Sequence, residues 1–203
     1  SSALFAIEMM SVFNIKNQSL AFRGGACRSN KFKIPHRHYD SGSLIYRLNG
    51  VNVLADSGHD HYTDTFWKNY DSPQHERSAP QLHNIILVDN RGHQNEDATN
   101  GQIIAWNDKH SHFKSLVWQL TSSLPKLKSW ERQILLFENG ILIVVDRIHP
   151  DGAQTLAVLW HLHEDPLIEN YKSWETSMFE AKVYSNHPSI ILHEQHHIKP
   201  CIK

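Results

Sequence analysis

A short hairpin signal constrains the fold of this chain more than any other feature. Within residues 44–54, the runs LIYRL and VNVL flank Asn49 and Gly50. Asn-Gly favours a two-residue type I′ turn, because both turn residues need a positive φ. The pattern therefore predicts an antiparallel hairpin, and a turn of this kind sets Tyr46 opposite Val53.

Further strand patterns follow along all 203 residues. Each is a short apolar or alternating run flanked by turn residues, and Asn139-Gly140 marks a second hairpin. No segment keeps a helical period over three turns. The predicted fold class is all-β, an antiparallel multi-sheet β-sandwich formed as a single domain from residues 1–203. The other predicted strands are residues 11–22, 32–40, 84–89, 102–106, 113–120, 130–137, 141–148, 156–163, 174–179, 181–185 and 189–192.

The charge pattern argues against several classes of partner. The formal net charge is −1 and the basic residues are scattered, so no surface for nucleic acid or an anionic membrane is expected. No apolar stretch is long enough to span a bilayer. The two cysteines, Cys27 and Cys201, are too far apart in sequence to indicate a disulfide framework or a zinc ribbon. Residues 1–7 lack the basic start of a signal peptide, and because the chain begins in mid-pattern we expect it to be part of a longer protein.

Histidine is unusually frequent in this chain, with sixteen residues. The densest group is HRHYD at residues 36–40, at the end of a predicted strand. Alternate residues of a strand point to one face, so His36, His38 and Asp40 would share a face. Imidazole and carboxylate together suit Zn, Fe, Ni or Mn, which makes this group a candidate metal or active site.

Two further candidate ligands lie beyond the hairpin. Asp56 follows the second hairpin strand, where a carboxylate is also common as a turn cap. His83 and Asn84 enter the next apolar strand, where a histidine can equally be a buried core group. Strict alternation places Asp56 on the face away from His38. A shared ligand therefore requires an extra or a missing residue, and Gly42 is the natural position for such a bulge.

Other polar and aromatic residues allow structural explanations. His161 and His163 share one face of a predicted strand, and alternation favours an outward polar row over a second binding pair. Residues 58–82 form a long predicted loop, and long ordered loops often carry function. Its aromatic residues, Trp67 and Tyr70 among them, could stack on a sugar or pack the loop onto the sandwich.

The ordered motif series resembles the C-terminal β-domain of heparinase II/III-like polysaccharide lyases. The series is H-x-H-x-D-S-x-S, a hairpin, L-x-D-x-G, an aromatic loop, R-S, H-N and V-D, and the later runs RQILLF, VVDR and WHLH also resemble that family. The resemblance covers most of the chain, from Ser11 to His163. The first motifs are found at His36 to Ser43, Leu54 to Gly58, Arg77-Ser78, His83-Asn84 and Val88-Asp89.

The resemblance implies a zinc ion held by His38, Asp56 and His83. It implies that His36 faces a substrate cleft in an enzyme that breaks uronic-acid glycosidic bonds by β-elimination. The implied substrate is an acidic polysaccharide, such as a glycosaminoglycan or alginate, and the implied location is periplasmic or secreted.

The candidate cleft residues on this chain follow from the same resemblance. They are His36, Tyr70 and Arg77 as catalytic residues, and Trp67 and Asn84 as substrate-binding residues. β-Elimination needs a neutralised carboxylate, a base and an acid. In the family the base and the carboxylate-binding residues come largely from an N-terminal α/α toroid. This chain lacks such a domain, so a toroid in cis or in trans is the implied partner.

Two departures from the family pattern affect the cleft. Ile85 follows His83-Asn84 where the family usually has Thr, and His75-Glu76 precede Arg77-Ser78 where the family often has a Tyr. At these two positions the resemblance does not determine the contacts around the cleft.

Two other functions stay open at this stage. One is a non-catalytic glycan-binding module stabilised by zinc, which the absent toroid favours. The other is a non-haem iron oxygenase, because His38-x-Asp40 with the distal His83 resembles a His/Asp/His facial triad. Metal identity separates the oxygenase from the lyase-like site.

Overall fold

The described part of the chain consists almost entirely of β-strands, several of which are joined by tight turns. The computed structural model describes residues 3–5, 10–25, 40–56, 80–92, 101–121, 124, 126–152, 155–162, 168–170, 173–175 and 180–182. The strands are β1 (Ala3–Phe5), β2 (Met10–Ile15), β3 (Gln18–Arg23), β4 (Leu44–Leu48), β5 (Val51–Leu54), β6 (Ile86–Val88), β7 (Gln102–Asn107), β8 (Phe113–Thr121), β9 (Leu127–Phe137), β10 (Leu142–Pro150), β11 (Leu156–Val158), β12 (Ile168–Asn170), β13 (Ser173–Glu175) and β14 (Glu180–Lys182). A 3₁₀ turn over Pro80–Leu82 precedes β6. Within these ranges no helix is long and apolar enough to cross a membrane.

The strands form several antiparallel sheets, as predicted from the turn signals. One sheet has the order β1-β2-β3-β4-β5 and a second has the order β10-β9-β8-β7. Two smaller sheets are β11-β6 and β12-β13-β14. The predicted all-β, multi-sheet antiparallel fold class is confirmed. The predicted strand at 189–192 and nearly all of the one at 32–40 lie outside the described residues.

The two large sheets pack their apolar faces against each other. Phe13 on β2 stacks on Trp106 of β7 with ring centroids 4.1 Å apart. Phe22 on β3 meets the edge of Trp118 on β8 at 5.9 Å, and Trp118 meets Trp130 on β9 at 4.8 Å. Removing a buried aromatic side chain of this size typically costs about 3–5 kcal/mol. The aromatic contacts therefore hold the two sheets in one arrangement.

The first hairpin forms with the predicted turn but with a different register. Asn49 and Gly50 have φ values of 51° and 84°, as a type I′ turn requires. Tyr46 lies opposite Leu54 and not opposite Val53, because the register shifts by one residue. The predicted pairing is therefore wrong. The shift allows Val53 and Leu54, which are consecutive and 6% and 9% exposed, both to be buried.

The extra residue predicted at Gly42 lies instead at Val53. Gly42 forms a turn with a φ of 87°, and an added Cβ would lie 2.6 Å from Cη2 of Trp130. Glycine is needed there for the backbone conformation and for the close approach of the indole. A one-residue shift reverses the face of the residues that follow it, so Asp56 lies on the opposite face from the one that strict alternation predicts.

A chain of hydrogen bonds that begins at Tyr46 on β4 also joins the two large sheets. The Tyr46 hydroxyl donates to Oε1 of Gln18 at 2.6 Å, and Nε2 of Gln18 donates to the carbonyl of Phe137 at 2.9 Å. Burial raises the pKa of Tyr46 to about 12. The hydroxyl therefore stays a neutral donor over the physiological pH range.

Candidate functional site

The candidate site centres on a buried histidine–carboxylate pair. His83 follows the 3₁₀ turn, whose first carbonyl, that of Pro80, accepts the His83 N–H at 3.3 Å. Its ring is fully buried, and Nδ1 lies 2.8 Å from Oδ2 of Asp56, which is 18% exposed. Because a carboxylate only accepts hydrogen bonds, Nδ1 carries the proton in this pair. The pair thus places one oriented imidazole just beneath a carboxylate that reaches the surface.

The donor set of this pair fits a zinc ion. Neutral imidazole and carboxylate are both zinc ligands, and two ligands of a tetrahedral zinc lie about 3.3 Å apart. The observed separation of 2.8 Å between Nδ1 of His83 and Oδ2 of Asp56 is a hydrogen-bond distance, so the Nδ1 proton would have to leave and the two atoms move slightly apart for both to bind one ion. Within the described ranges, however, no three His, Cys, Asp or Glu side chains gather in a group that could hold a metal.

The other predicted site residues are placed as follows. His38, the third implied zinc ligand, lies outside the described residues. So do four of the implied cleft residues, His36, Trp67, Tyr70 and Arg77. Their predicted roles stay predictions.

Asn84 is the neighbour of His83 and joins three chain segments. It is fully buried. Its Nδ2 donates to the carbonyls of Leu44 and Ala55, both at 2.8 Å, and its Oδ1 accepts the backbone N–H of His161 at 2.7 Å. These contacts tie β4, the segment before Asp56 and the segment around His161 to one amide. The substrate-binding role predicted for Asn84 stays a prediction, and in this structure its amide bonds to backbone.

His161 lies in this region and not in an outward row. Strand β11 ends at Val158, so the alternation that predicted an exposed His161 does not continue to it. His161 is only 8% exposed, and its carbonyl accepts the N–H of Ala55 at 2.9 Å. The prediction of an outward His161 is therefore wrong, while its partner His163 is outside the described residues.

Beneath Asn84 lies a buried ion pair that the sequence interpretation did not assign. Arg132 on β9 is fully buried, and its Nε and Nη2 donate to the two carboxylate oxygens of Asp146 on β10, at 2.8 and 2.9 Å. Its Nη1 donates to the carbonyls of Gly42 and Asn84, at 2.8 and 2.7 Å. The guanidinium therefore connects the second large sheet to the backbone at two points near the site.

A sequence signal for this pair did exist. Arg132 alternates with Trp130 and Ile134, two apolar residues on the inward face of β9. The second hairpin sets Arg132 directly opposite Asp146. An inward arginine opposite an aspartate predicts a buried pair, because an unpaired charge is costly to bury.

Asp40, the last residue of the 36–40 group, is engaged elsewhere. Its Oδ1 lies 3.8 Å from Nε of Arg23 on β3, and both side chains are partly exposed. This ion pair sets the carboxylate of Asp40 beside a cation.

The architecture and the site define a class of protein: an all-β sandwich domain with an imidazole–carboxylate pair whose imidazole is buried. The chain belongs to the family described as Heparinase II/III-like, C-terminal, which matches residues 10–195. The resemblance inferred from the motif series is therefore confirmed. No curated protein sequence matches the chain significantly.

Solved structures share the fold at low sequence identity. A crystal structure of heparinase III has a TM-score of 0.66 and 15% identity, and covers 87% of this chain and 28% of its own. The heparan sulfate lyase HepC from Pedobacter heparinus has a TM-score of 0.64 and 20% identity, and covers 84% and 26%. This chain thus spans about a quarter of the length of those proteins.

Proposed function

We propose that the chain is the β-domain of a polysaccharide lyase that cleaves a uronic-acid-containing polysaccharide by β-elimination. The observation that carries the proposal is the His83–Asp56 pair, which lies at the motif positions of a family whose C-terminal domain this chain matches over residues 10–195. One structural neighbour is named a heparan sulfate lyase. Heparan sulfate or another acidic glycan is accordingly the proposed substrate class.

The proposed reaction is an elimination with balanced proton and electron movement. A base removes the proton α to the uronate carboxylate, the C–H electrons form the new C=C bond, and the C4–O bond breaks. The departing O4 takes a proton from an acid. The product is an unsaturated uronate at the new non-reducing end.

The chain would supply part of this machinery. His36, Tyr70 and Arg77 are the proposed cleft residues, because an imidazole and a phenol can exchange protons while a guanidinium can neutralise the uronate carboxylate. Trp67 is proposed to stack on a sugar ring. An α/α toroid, in cis or in trans, is the proposed source of the base.

Zinc is the proposed metal, held by His38, Asp56 and His83. A bound zinc would join three chain segments and stabilise them in one arrangement. The observations that support it are the 2.8 Å approach of the imidazole and carboxylate of His83 and Asp56 and the full burial of His83. On this proposal the ion shapes the wall of the cleft rather than taking part in the elimination.

Elemental analysis of the purified chain tests the metal. We expect one zinc per chain, lost in His83→Ala and kept in His112→Ala, a matched control whose side chain is 70% exposed. Iron in place of zinc would favour the oxygenase. An absence of any metal in the wild-type chain would remove the zinc proposal.

Product formation tests the lyase. The longer protein that carries this domain, incubated with acidic glycans, should produce the ultraviolet absorbance of an unsaturated uronate, and His36→Ala should abolish it. Glycan binding without product, unchanged in His36→Ala, would support the non-catalytic module instead.

A further inference from the structure

We propose that Arg132 and Asp146 form a positioning pair that sets the geometry of the His83–Asp56 site from the second large sheet. The inference rests on the proposed function, because it assigns these residues a task at that site. Neither residue is placed in contact with a substrate or a metal. They act through the backbone on which the site residues are carried.

The pair is anchored in a long antiparallel ladder. Arg132 and Asp146 are direct partners in the β9–β10 register, within a run of consecutive pairs from Leu142–Leu136 to His149–Ser129. Trp130 adds a third bond, because its Nε1 donates to Oδ1 of Asp146 at 2.8 Å. The carboxylate is therefore held on two sides, and it fixes the plane of the guanidinium.

From this anchor the guanidinium reaches the segments of the site. One nitrogen, Nη1, donates both to the Gly42 carbonyl, in the turn that follows the 36–40 group, and to the Asn84 carbonyl, next to His83. The planar fork of arginine supplies these directed donors together with the bidentate bond, whereas a lysine ammonium cannot. The position therefore depends on arginine and not only on a positive charge.

Asn84 then connects the backbone held by Arg132 to the segment before Asp56 and to the segment around His161. Its side chain bonds the Ala55 carbonyl, one residue before Asp56, and the His161 N–H. Ala55 and His161 bond each other directly through N–H and C=O at 2.9 Å. A chain of hydrogen bonds thus leads from the Arg132–Asp146 pair to the residues adjacent to the His83–Asp56 pair, Asn84 after His83 and Ala55 before Asp56.

Two indole rings lie close to the guanidinium of Arg132. The guanidinium carbon of Arg132 lies 4.7 Å from the ring centroid of Trp130 and 5.0 Å from that of Trp160. Trp160 precedes His161, so this contact reaches the third segment as well. A buried ion pair is often no more stabilising than apolar residues of similar size. We assign this pair its role from the geometry that it imposes and not from a net gain in stability.

The test uses the double variant Arg132→Met/Asp146→Asn. It removes both charges together, and the amide oxygen introduced by Asp146→Asn keeps an acceptor for Trp130. The backbone amides of Ala55 and His161 are the reporters, measured by hydrogen exchange, and the β2–β3 ladder amides are the reference. Zinc affinity is measured alongside by competition with a chelator. Tyr46→Phe is the matched control, because it removes another polar link between the two sheets, through bonds to Gln18 and to the Gly140 carbonyl that do not involve Asn84, Ala55 or His161.

We expect exchange at Ala55 and His161 to rise at least tenfold, with the β2–β3 amides unchanged, and zinc affinity to fall by about tenfold, as for other outer-shell substitutions. Equal acceleration at every amide, or no change at the two reporters, would overturn the inference. If the wild-type chain binds no zinc, the metal proposal fails while the exchange pattern still decides this one. If the double variant does not fold, Arg132→Lys keeps the charge, and unchanged reporters in that variant would equally overturn the inference.

Discussion

Two opposite-charge pairs occupy neighbouring positions of the β9–β10 ladder and point to opposite faces. Arg132 pairs with Asp146 and the next position sets Arg147 opposite Glu131. The inward pair has side chains 0% and 12% exposed, whereas the outward pair has side chains 57% and 26% exposed. The chemistry of the two pairs is the same. The difference shows that the face of the strand, and not the presence of a salt bridge, decides what such a pair contributes.

Water has little access to the inward pair, because the side chain of Arg132 is fully buried and that of Asp146 is only 12% exposed. Each charge therefore needs the other, and the spare donors of Arg132 are used on backbone carbonyls near the site. The outward pair exchanges its contacts with solvent at little cost.

The single variant Arg132→Met should have the largest effect. It leaves the Asp146 carboxylate buried without its guanidinium, and breaking a buried pair in this way costs about 3–5 kcal/mol. Urea unfolding followed by tryptophan fluorescence measures the loss. Asp146→Asn added to Arg132→Met should recover part of that loss, since no charge is then left buried. A single variant as stable as the wild type would contradict the buried pair.

Gly42 and Gly50 offer the same contrast between a buried and an exposed position, without charge. Gly42→Ala should destabilise the fold by about 2–4 kcal/mol, because its Cβ would collide with Trp130 and its φ is positive. Gly50→Ala should cost about 1 kcal/mol, because it has a similar φ of 84° but no atom within 4 Å. Thermal unfolding of both variants tests this order. Equal losses would show that the collision is relieved by movement of the indole.

Tyr46 is a buried group that is neutral at physiological pH and ionises only at high pH. Its pKa of about 12 in the fold is above the ordinary value of 10.0. Its contribution is therefore complete below pH 10 and is lost as the pH rises through 12, by on the order of 2 kcal/mol. Unfolding in urea at pH 9 and pH 11.5 measures this loss, and Tyr46→Phe should show a smaller loss because it has no phenol to ionise. Parallel pH profiles for the two proteins would count against the burial of the hydroxyl.

Arg147→Met should have the smallest effect. Its partner Glu131 is solvated when the cation is removed, so we expect a change below about 0.5 kcal/mol. The same urea unfolding assay used for Arg132→Met gives the direct contrast. A loss above about 2 kcal/mol would show that exposure does not separate the two pairs.

Local patterns accounted for much of the fold. The Asn49-Gly50 turn, the second hairpin and the strand at 130–137 were predictable because each depends on neighbours in sequence. The register beyond the first turn was not readable. Burying both Val53 and Leu54 depends on the opposing sheet, and the resulting shift cancels the strict alternation that the hairpin pattern predicts.

The candidate site divides in a similar way. The motif series indicates Asp56 and His83 as site residues, and their side chains lie 2.8 Å apart. The roles of Arg132, Asp146 and His161 were missed. The ion pair can be predicted only from which residues face each other across β9 and β10. His161 follows the end of β11, where strand alternation no longer applies.

Most of the described strands, the tight turns, the antiparallel class and the family are predictable without coordinates from other parts of the chain, because these depend on residue type, spacing and order in the sequence. Only the tertiary structure decided which polar groups are excluded from water. That outcome depends on how separate sheets meet, and burial lets an ordinary arginine–aspartate pair on neighbouring strands hold the backbone of Asn84.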